Sequence, residues 1–250
     1  MTTTAEATPP PAVALEAAHA GRLVASGGIG SVWEAAPEGY ADARPVVLKR
    51  FNRPEQVDAR ALEALVRWRR DLPPSERSWL DRITTWPLAT VNEAGTCVGF
   101  VMHRVPREFA EEVRLPSGRR QSVLREAQYL IAPEDRLCRL RVPAPSRRTR
   151  LEIVWMLAEA IGFLHRRRIV VGDLSSRNVL WRPDPGRIVI VDCDSTTLGR
   201  VGSPHEPAFT VDWDDPAQPV TVAASSDVYK LALFALRTLA RSFQTRDPAA

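Results

Sequence analysis

The sequence predicts an α+β protein in two parts, a strand-rich part followed by a mainly helical one. Three observations predict it. Short apolar runs of strand length, Val46–Leu48, Ile83–Val91 and Thr96–Val105, crowd the N-terminal half with one helix among them. From Ser146 onward, Leu151, Val154, Leu157, Ile161 and Leu164 recur at helical spacing, and a segment after Asp227 is apolar nearly all round. Between those two helices, the β-branched runs Ile169–Val171 and Ile188–Val191 each lead into an aspartate, Asp173 and Asp192.

Residues 1–20, rich in Thr and Ala with Pro9-Pro10-Pro11, read as a flexible arm. Leu23-Val24 then leads through Ser26-Gly27-Gly28-Ile29-Gly30 to Val32-Trp33, a hairpin with a glycine-rich tip. Glycines allow close backbone approach to phosphates. The next strand ends in Lys49, and a lysine closing a buried strand invites an anionic partner. Residues 55–70 predict a helix with Leu62, Leu65, Val66 and Arg69 on one face, ended by Pro73-Pro74. Its end, Arg67-Trp68-Arg69-Arg70, reads as a solvated helix terminus, not a nucleic-acid surface. The strands Ile83–Val91 and Thr96–Val105 are joined by Asn92-Glu93-Ala94-Gly95, and the second runs into Met102-His103-Arg104.

Residues 107–147 predict loops around one helix near Ser122–Ile131. His165 falls near the end of the long helix and reads as a packed histidine. After Asp173, Asn178 follows five residues on, Val179–Trp181 predicts a strand, and Pro183-Asp184-Pro185-Gly186 a turn. About thirty residues without periodicity follow Asp194, and long loops of this kind are often functional. Ser225-Ser226 predicts the cap of a buried helix starting at Asp227.

Composition bounds the function. The 250 residues carry a net charge of +4, compatible with an anionic ligand. Cys97, Cys138 and Cys193 have no metal-like spacing and read as small hydrophobes in a reducing compartment. No apolar run approaches the ~20 residues of a membrane span, and no signal peptide is expected. A cytoplasmic protein is the expectation.

The D-x-x-x-x-N spacing of Asp173 and Asn178, followed by the strand-terminal Asp192, resembles the catalytic and metal-binding loops of the protein-kinase-like superfamily. Gly27, Gly30 and Val32 match three positions of its glycine-rich loop, with Ala25 in place of the first glycine. Lys49, seventeen residues after Val32, matches its phosphate-holding lysine. Thr85-Trp86-Pro87 and Gly99-Phe100-Val101-Met102 resemble bacterial kinase-like domains found beside helix-hairpin-helix or phosphatase modules. The departures are Val171-Gly172 before the expected base and Cys193-Asp194 after the expected metal ligand.

The resemblance implies a two-lobed protein-kinase-like fold, with a small antiparallel lobe over residues 21–105 and a mainly helical large lobe over 106–250. Only 23 residues follow Asp227, so that lobe is expected to be reduced or truncated, with a further domain or self-association covering its last helix. The resemblance implies ATP and Mg²⁺ as cofactors. Gly27, Gly28, Gly30 and Val32 would cover the phosphates and Lys49 hold them, with Glu63 its partner. The backbone of Met102, His103 and Arg104 would hold the adenine. Asn178 and Asp192 would bind Mg²⁺, and Asp173 would be the catalytic base. Phosphoryl transfer to a protein Ser/Thr is the first reading. An aminoglycoside-type phosphotransferase, supported by Gly172-Asp173, and a nucleotide-binding pseudokinase are the alternatives. The helix from Asp227 matches one whose leading aspartate braces the catalytic loop through its backbone.

Overall fold

A computed structural model describes residues 11–38, 44–115, 117–205, 210–217 and 222–245. The fold is mixed α+β, with a six-stranded mixed sheet and, among the described residues, six α-helices. The chain divides into two units, Met1–Arg104 with Arg200–Glu206, and Val105–Gly199 with Pro207–Ala250.

In the first unit the strands are β1 (Ala12–Ala14), β2 (Leu23–Ser26), β3 (Gly30–Ala35), β4 (Val46–Phe51), β5 (Pro87–Glu93) and β6 (Thr96–His103), in spatial order β1-β5-β6-β4-β3-β2. All neighbours pair antiparallel except β1, which lies parallel to β5 with Ala12 opposite Thr90. The strands of residues 21–105 are antiparallel as expected, and the sheet is mixed only through β1, which lies before them. The expected arm is corrected: residues 12–14 form an edge strand, while residues 1–10 lie outside the described residues.

Alternation along β4 sorts its side chains onto two faces. Val46 and Leu48 pack with Leu88, Val98 and Val101, and Val47 and Phe51 pack with Leu62, Phe100 and Met102. Leu62 belongs to α1 (Ala59–Asp71), which buries Ala61, Leu62, Leu65, Val66 and Arg69, the face its sequence spacing predicts. The helix starts at residue 59 rather than 55 because the Asp58 carboxylate caps it, accepting from the N–H groups of Arg60 and Ala61 at 2.9 and 3.1 Å.

A second helix, α2 (Pro74–Ile83), was not expected. Pro73-Pro74 does end α1, but Pro74 also begins α2, where its missing N–H costs nothing. Ile83 is thereby buried on a helix, and β5 starts only at Pro87.

The second unit begins with a hairpin of β7 (Ala110–Arg114) and β8 (Arg120–Leu124), followed by α3 (Gln128–Ile131) and α4 (Glu134–Leu140). The helix expected near Ser122–Ile131 is thus half strand. Ser122 pairs with Glu112 across the hairpin, and helical geometry begins only at Gln128. The long helix α5 (Arg147–His165) is capped by Ser146, whose Oγ accepts from the Thr149 N–H at 3.0 Å.

Then come β9 (Ile169–Val170), β10 (Val179–Arg182), β11 (Arg187–Ile190), β12 (Thr197–Leu198) and α6 (Ala224–Ala240). β10 and β11 form the predicted hairpin, and β12 pairs with β9. α6 starts three residues before Asp227, with Ala223 at its N-cap and no side-chain cap, so Ser225 and Ser226 lie inside the first turn. It buries Leu233 and Phe234 but also Asp227, Lys230 and Arg237. Cys97 and Cys193 are buried as expected, whereas Cys138 is exposed. No helix among the described residues is long and apolar enough to cross a membrane.

Candidate active site

The loop between β9 and β10 holds Asp173 and Asn178, two of the residues singled out in the sequence. Asp227, fully buried at the start of α6, holds its N-terminal side: Oδ2 accepts from the Val171 N–H at 2.8 Å and Oδ1 from the Gly172 N–H at 2.9 Å. His165, at the end of α5, places Nε2 2.9 Å from the same Oδ2. The histidine read as packed is thus a bracing partner. Gly172 has φ +78°, and a Cβ there would meet Val222 Cγ1 at 3.0 Å, so both backbone and space favour glycine.

Asp173 follows. Its Oδ2 accepts from Asn178 Nδ2 at 2.7 Å and its Oδ1 from the Thr210 hydroxyl at 2.9 Å. Asn178 Nδ2 also donates to the Asp173 carbonyl at 2.8 Å. The D-x-x-x-x-N spacing therefore closes a tight loop in which carboxylate and amide touch. Burial pushes the Asp173 carboxyl above its ordinary value; the bonds from Thr210 and Asn178 and the charge of Lys230 pull the other way, while the Asp192 charge adds to the rise.

Asp192 lies past the end of β11 in the left-handed region, φ 57°, and is exposed. Its carbonyl accepts from the Ser195 hydroxyl at 3.0 Å, which turns the chain sharply. Asp194, two residues on, is wholly buried, so the two acids do not share an environment.

In the first unit, Lys49 is 4% exposed, opposite Val32 on β3 and Phe100 on β6, with Nζ 5.9 Å from the Phe100 ring centroid. It lies on the sheet face that α1 covers. Glu63 is exposed on α1. Burial, and to a lesser degree the charge of Glu63, push the Cys97 thiol up.

The glycine tip is tied to the end of β4. Gly27 N–H donates to the Gly30 carbonyl at 2.9 Å, and Asn52 Nδ2 donates to the Gly27 and Gly28 carbonyls at 3.0 Å each. Gly30 is required by packing, since a Cβ would lie 2.5 Å from the Arg50 carbonyl oxygen. Gly28 has nothing within 4 Å of such a Cβ, so packing does not explain it.

Met102 and His103 are buried on β6, paired with Val47 and Val46 of β4, and the Arg104 N–H donates to the Pro45 carbonyl at 2.8 Å. The Arg104 N–H, one donor expected for adenine, is thus engaged at the end of the central β4–β6 pairing. His103 instead faces a buried charge cluster. Its Nε2 is 3.7 Å from Asp81, which accepts from Arg69 Nε and Nη2 at 2.7 Å each and from Arg44 at 3.1 Å. Burial alone would raise Asp81, but the hydrogen bonds and charges of Arg69 and His103 hold its carboxyl well below the usual range.

Among the described residues no cluster of three or more His, Cys, Asp or Glu side chains could hold a metal. The Asp192 carboxylate and the Asn178 amide oxygen remain the two donors the sequence reading expects for a cation. These are hard oxygen donors few enough to suit Mg²⁺, which fills its octahedron with water and substrate phosphates. Thr210 and Lys230 are the site residues sequence reasoning missed. Lys230 had a signal, being one of two charges, with Arg237, inside an otherwise apolar helical run. Compared with models of known protein families and with curated proteins, the chain matches none.

Proposed function

We propose that this chain is an ATP-dependent phosphotransferase of the protein-kinase-like superfamily, its two units serving as the small and large lobes of that fold. The acceptor is a hydroxyl, in the first instance Ser or Thr of a protein, and the chain acts in the cytoplasm. The observation that carries this reading is the Asp173–Asn178 contact on a loop braced by Asp227. It supports the reading because the amide nitrogen holds the carboxylate that would take an acceptor proton and leaves the amide oxygen for a cation.

In this reading Asp173 orients the attacking hydroxyl and accepts its proton. Asn178 and Asp192 hold Mg²⁺, which supplies charge neutralisation on the phosphates. Lys49 neutralises phosphate oxygens, and the tip at Gly27 and Gly28 covers them. Catalysis of this kind is positioning and electrostatics rather than covalent chemistry.

A pseudokinase is the second reading, favoured by one observation: the Thr210 hydroxyl already occupies Asp173 Oδ1, where an acceptor hydroxyl would bind. An aminoglycoside-type enzyme differs only in the acceptor. One experiment separates the three. The protein is incubated with labelled ATP, Mg²⁺, generic protein substrates and small alcohols. Label in protein supports the proposal, and label in a small alcohol moves the acceptor class. Nucleotide bound without transfer favours the pseudokinase, and no nucleotide binding at all sinks the assignment.

A further inference from the structure

Lys230 stands out among the charges of α6. It is 4% exposed, and its Nζ donates to the Gly172 carbonyl at 2.7 Å. A lysine is almost never buried so fully without a partner, and desolvating an ammonium is expensive. Its partner is the main-chain oxygen of the residue immediately before Asp173. Asp227, one turn earlier on the same helix, takes the N–H groups of Val171 and Gly172. One helix turn therefore grips both ends of Gly172, the N–H by a carboxylate and the C=O by an ammonium.

Gly172 needs such a grip. It has no side chain to anchor it, and at φ +78° it has more backbone freedom than any other residue type. Fixing its carbonyl fixes the peptide plane that links it to Asp173, and so the direction from which the Asp173 side chain departs.

We propose that Lys230 is a positioning residue for Asp173, acting through the Gly172 carbonyl and touching no substrate itself. The inference rests on the phosphotransferase reading above, and it names a residue that reading does not require. It makes α6 more than a support. Asp227 and Lys230, three residues apart, form an oppositely charged pair that sets the loop geometry. The lysine also places a buried positive charge near Asp173 without being exposed to solvent phosphate.

The test uses steady-state ATP turnover with Mg²⁺ and the acceptor found above, together with ATP affinity by calorimetry. Lys230→Met keeps the length and apolar bulk of the stem and removes the donor. It is expected to lower kcat at least tenfold with KM for ATP and calorimetric affinity within twofold of the parent. Lys230→Arg keeps a charged donor and is expected to recover most of the lost kcat. A general loosening of the fold would move KM and affinity as well, so the split separates positioning from mere stability. If Lys230→Met does not fold, as judged by circular dichroism, Lys230→Gln replaces it as the uncharged variant, with the same expectation of a kcat loss that Lys230→Arg does not show.

Unchanged kcat in the uncharged variant, equal kcat in the uncharged and Arg variants, or a loss confined to KM would each overturn the inference. In all three cases a parent enzyme that turns over and loses activity in Asp173→Asn leaves the phosphotransferase reading standing. A parent that does not turn over ATP, whether or not it binds it, overturns both.

Discussion

Asn178 donates through a single nitrogen to both the carboxylate and the main-chain carbonyl of Asp173, at 2.7 and 2.8 Å. The amide thereby fixes the acid's side chain and its backbone together. Asn178→Ala removes both bonds and is expected to cut ATP turnover by more than tenfold, since a hydrogen bond to a charged group contributes roughly 1.5–3 kcal/mol. Asn178→Asp would keep an oxygen for a cation yet lose the donor. Turnover assays on both separate the two duties, and wild-type turnover in Asn178→Ala would show that the amide does neither.

Asp192 and Asp194 should behave oppositely. Asp192 is exposed and Asp194 wholly buried. Asp192→Ala is expected to lower Mg²⁺-dependent nucleotide affinity with little change in Tm. Asp194→Asn should cost stability, about 1–3 kcal/mol for a buried polar group whose partners are disturbed, and leave the Mg²⁺ dependence alone. Calorimetric titration with and without Mg²⁺, paired with thermal melts, reads both, and the reverse pattern would reassign the metal ligand.

Lys49→Met preserves most of the buried stem on its sheet face. ATP affinity is expected to fall about tenfold, roughly 1.4 kcal/mol, in protein that still melts cooperatively. Equal affinity in folded mutant protein would leave Lys49 as a packing residue beside Phe100.

The glycine tip offers a paired comparison. Gly30→Ala forces a Cβ to within 2.5 Å of the Arg50 carbonyl oxygen and should destabilise the β3–β4 pairing, lowering Tm. Gly28→Ala meets nothing within 4 Å and should leave Tm unchanged. If the tip covers phosphates, Gly28→Ala still weakens ATP binding, because the new methyl group holds the backbone away. Unchanged affinity would make the tip an ordinary turn.

Two acids give pH dependences of opposite sign. Asp81 is held well below its ordinary value in the fold, so it contributes stability above the unfolded pKa of about 3.9 and loses it as pH falls through the folded value. Asp173 is raised, so its contribution is fully present below that unfolded pKa and is lost as pH rises through the folded one. Urea midpoints against pH should show Asp81→Asn flattening the acid limb, with a loss of about 3–5 kcal/mol at neutral pH for breaking a buried pair. Asp173→Asn should melt at or above the parent at neutral pH while turnover falls. A stability loss in Asp173→Asn would mean its hydrogen bonds matter more than its burial.

The parts of the molecule legible in the sequence are those where one interaction dominates. Hydrophobic spacing placed α1 and α5, whose buried faces it largely predicts although Leu151 of α5 is exposed, and two apolar runs around a turn placed the β10–β11 hairpin. Local spacing brought Asp173 and Asn178 together, because five residues are enough to close that loop. Long-range pairing was not legible. Nothing in Ala12–Ala14 announces β5 as its neighbour, and Arg120–Leu124 alternates too weakly to reveal a strand made by β7. The helix starting at Pro74 was hidden because a proline that stops one helix can also start the next. Arg69 was read on the core side of α1, but the acid that makes its burial tolerable, Asp81, lies on that hidden helix.

The strand β1 has a practical corollary for anyone trimming the protein. Composition suggests cutting at residue 21, yet the Leu15 N–H donates to the Asn92 carbonyl at 2.8 Å, and the Thr90 N–H to the Pro11 carbonyl at 3.1 Å. A chain begun at residue 21 would lose both bonds and leave that side of β5 as a raw sheet margin, and such margins recruit strands from other molecules. Clumping of a shortened preparation would then report the trimming, not the natural assembly state of the protein.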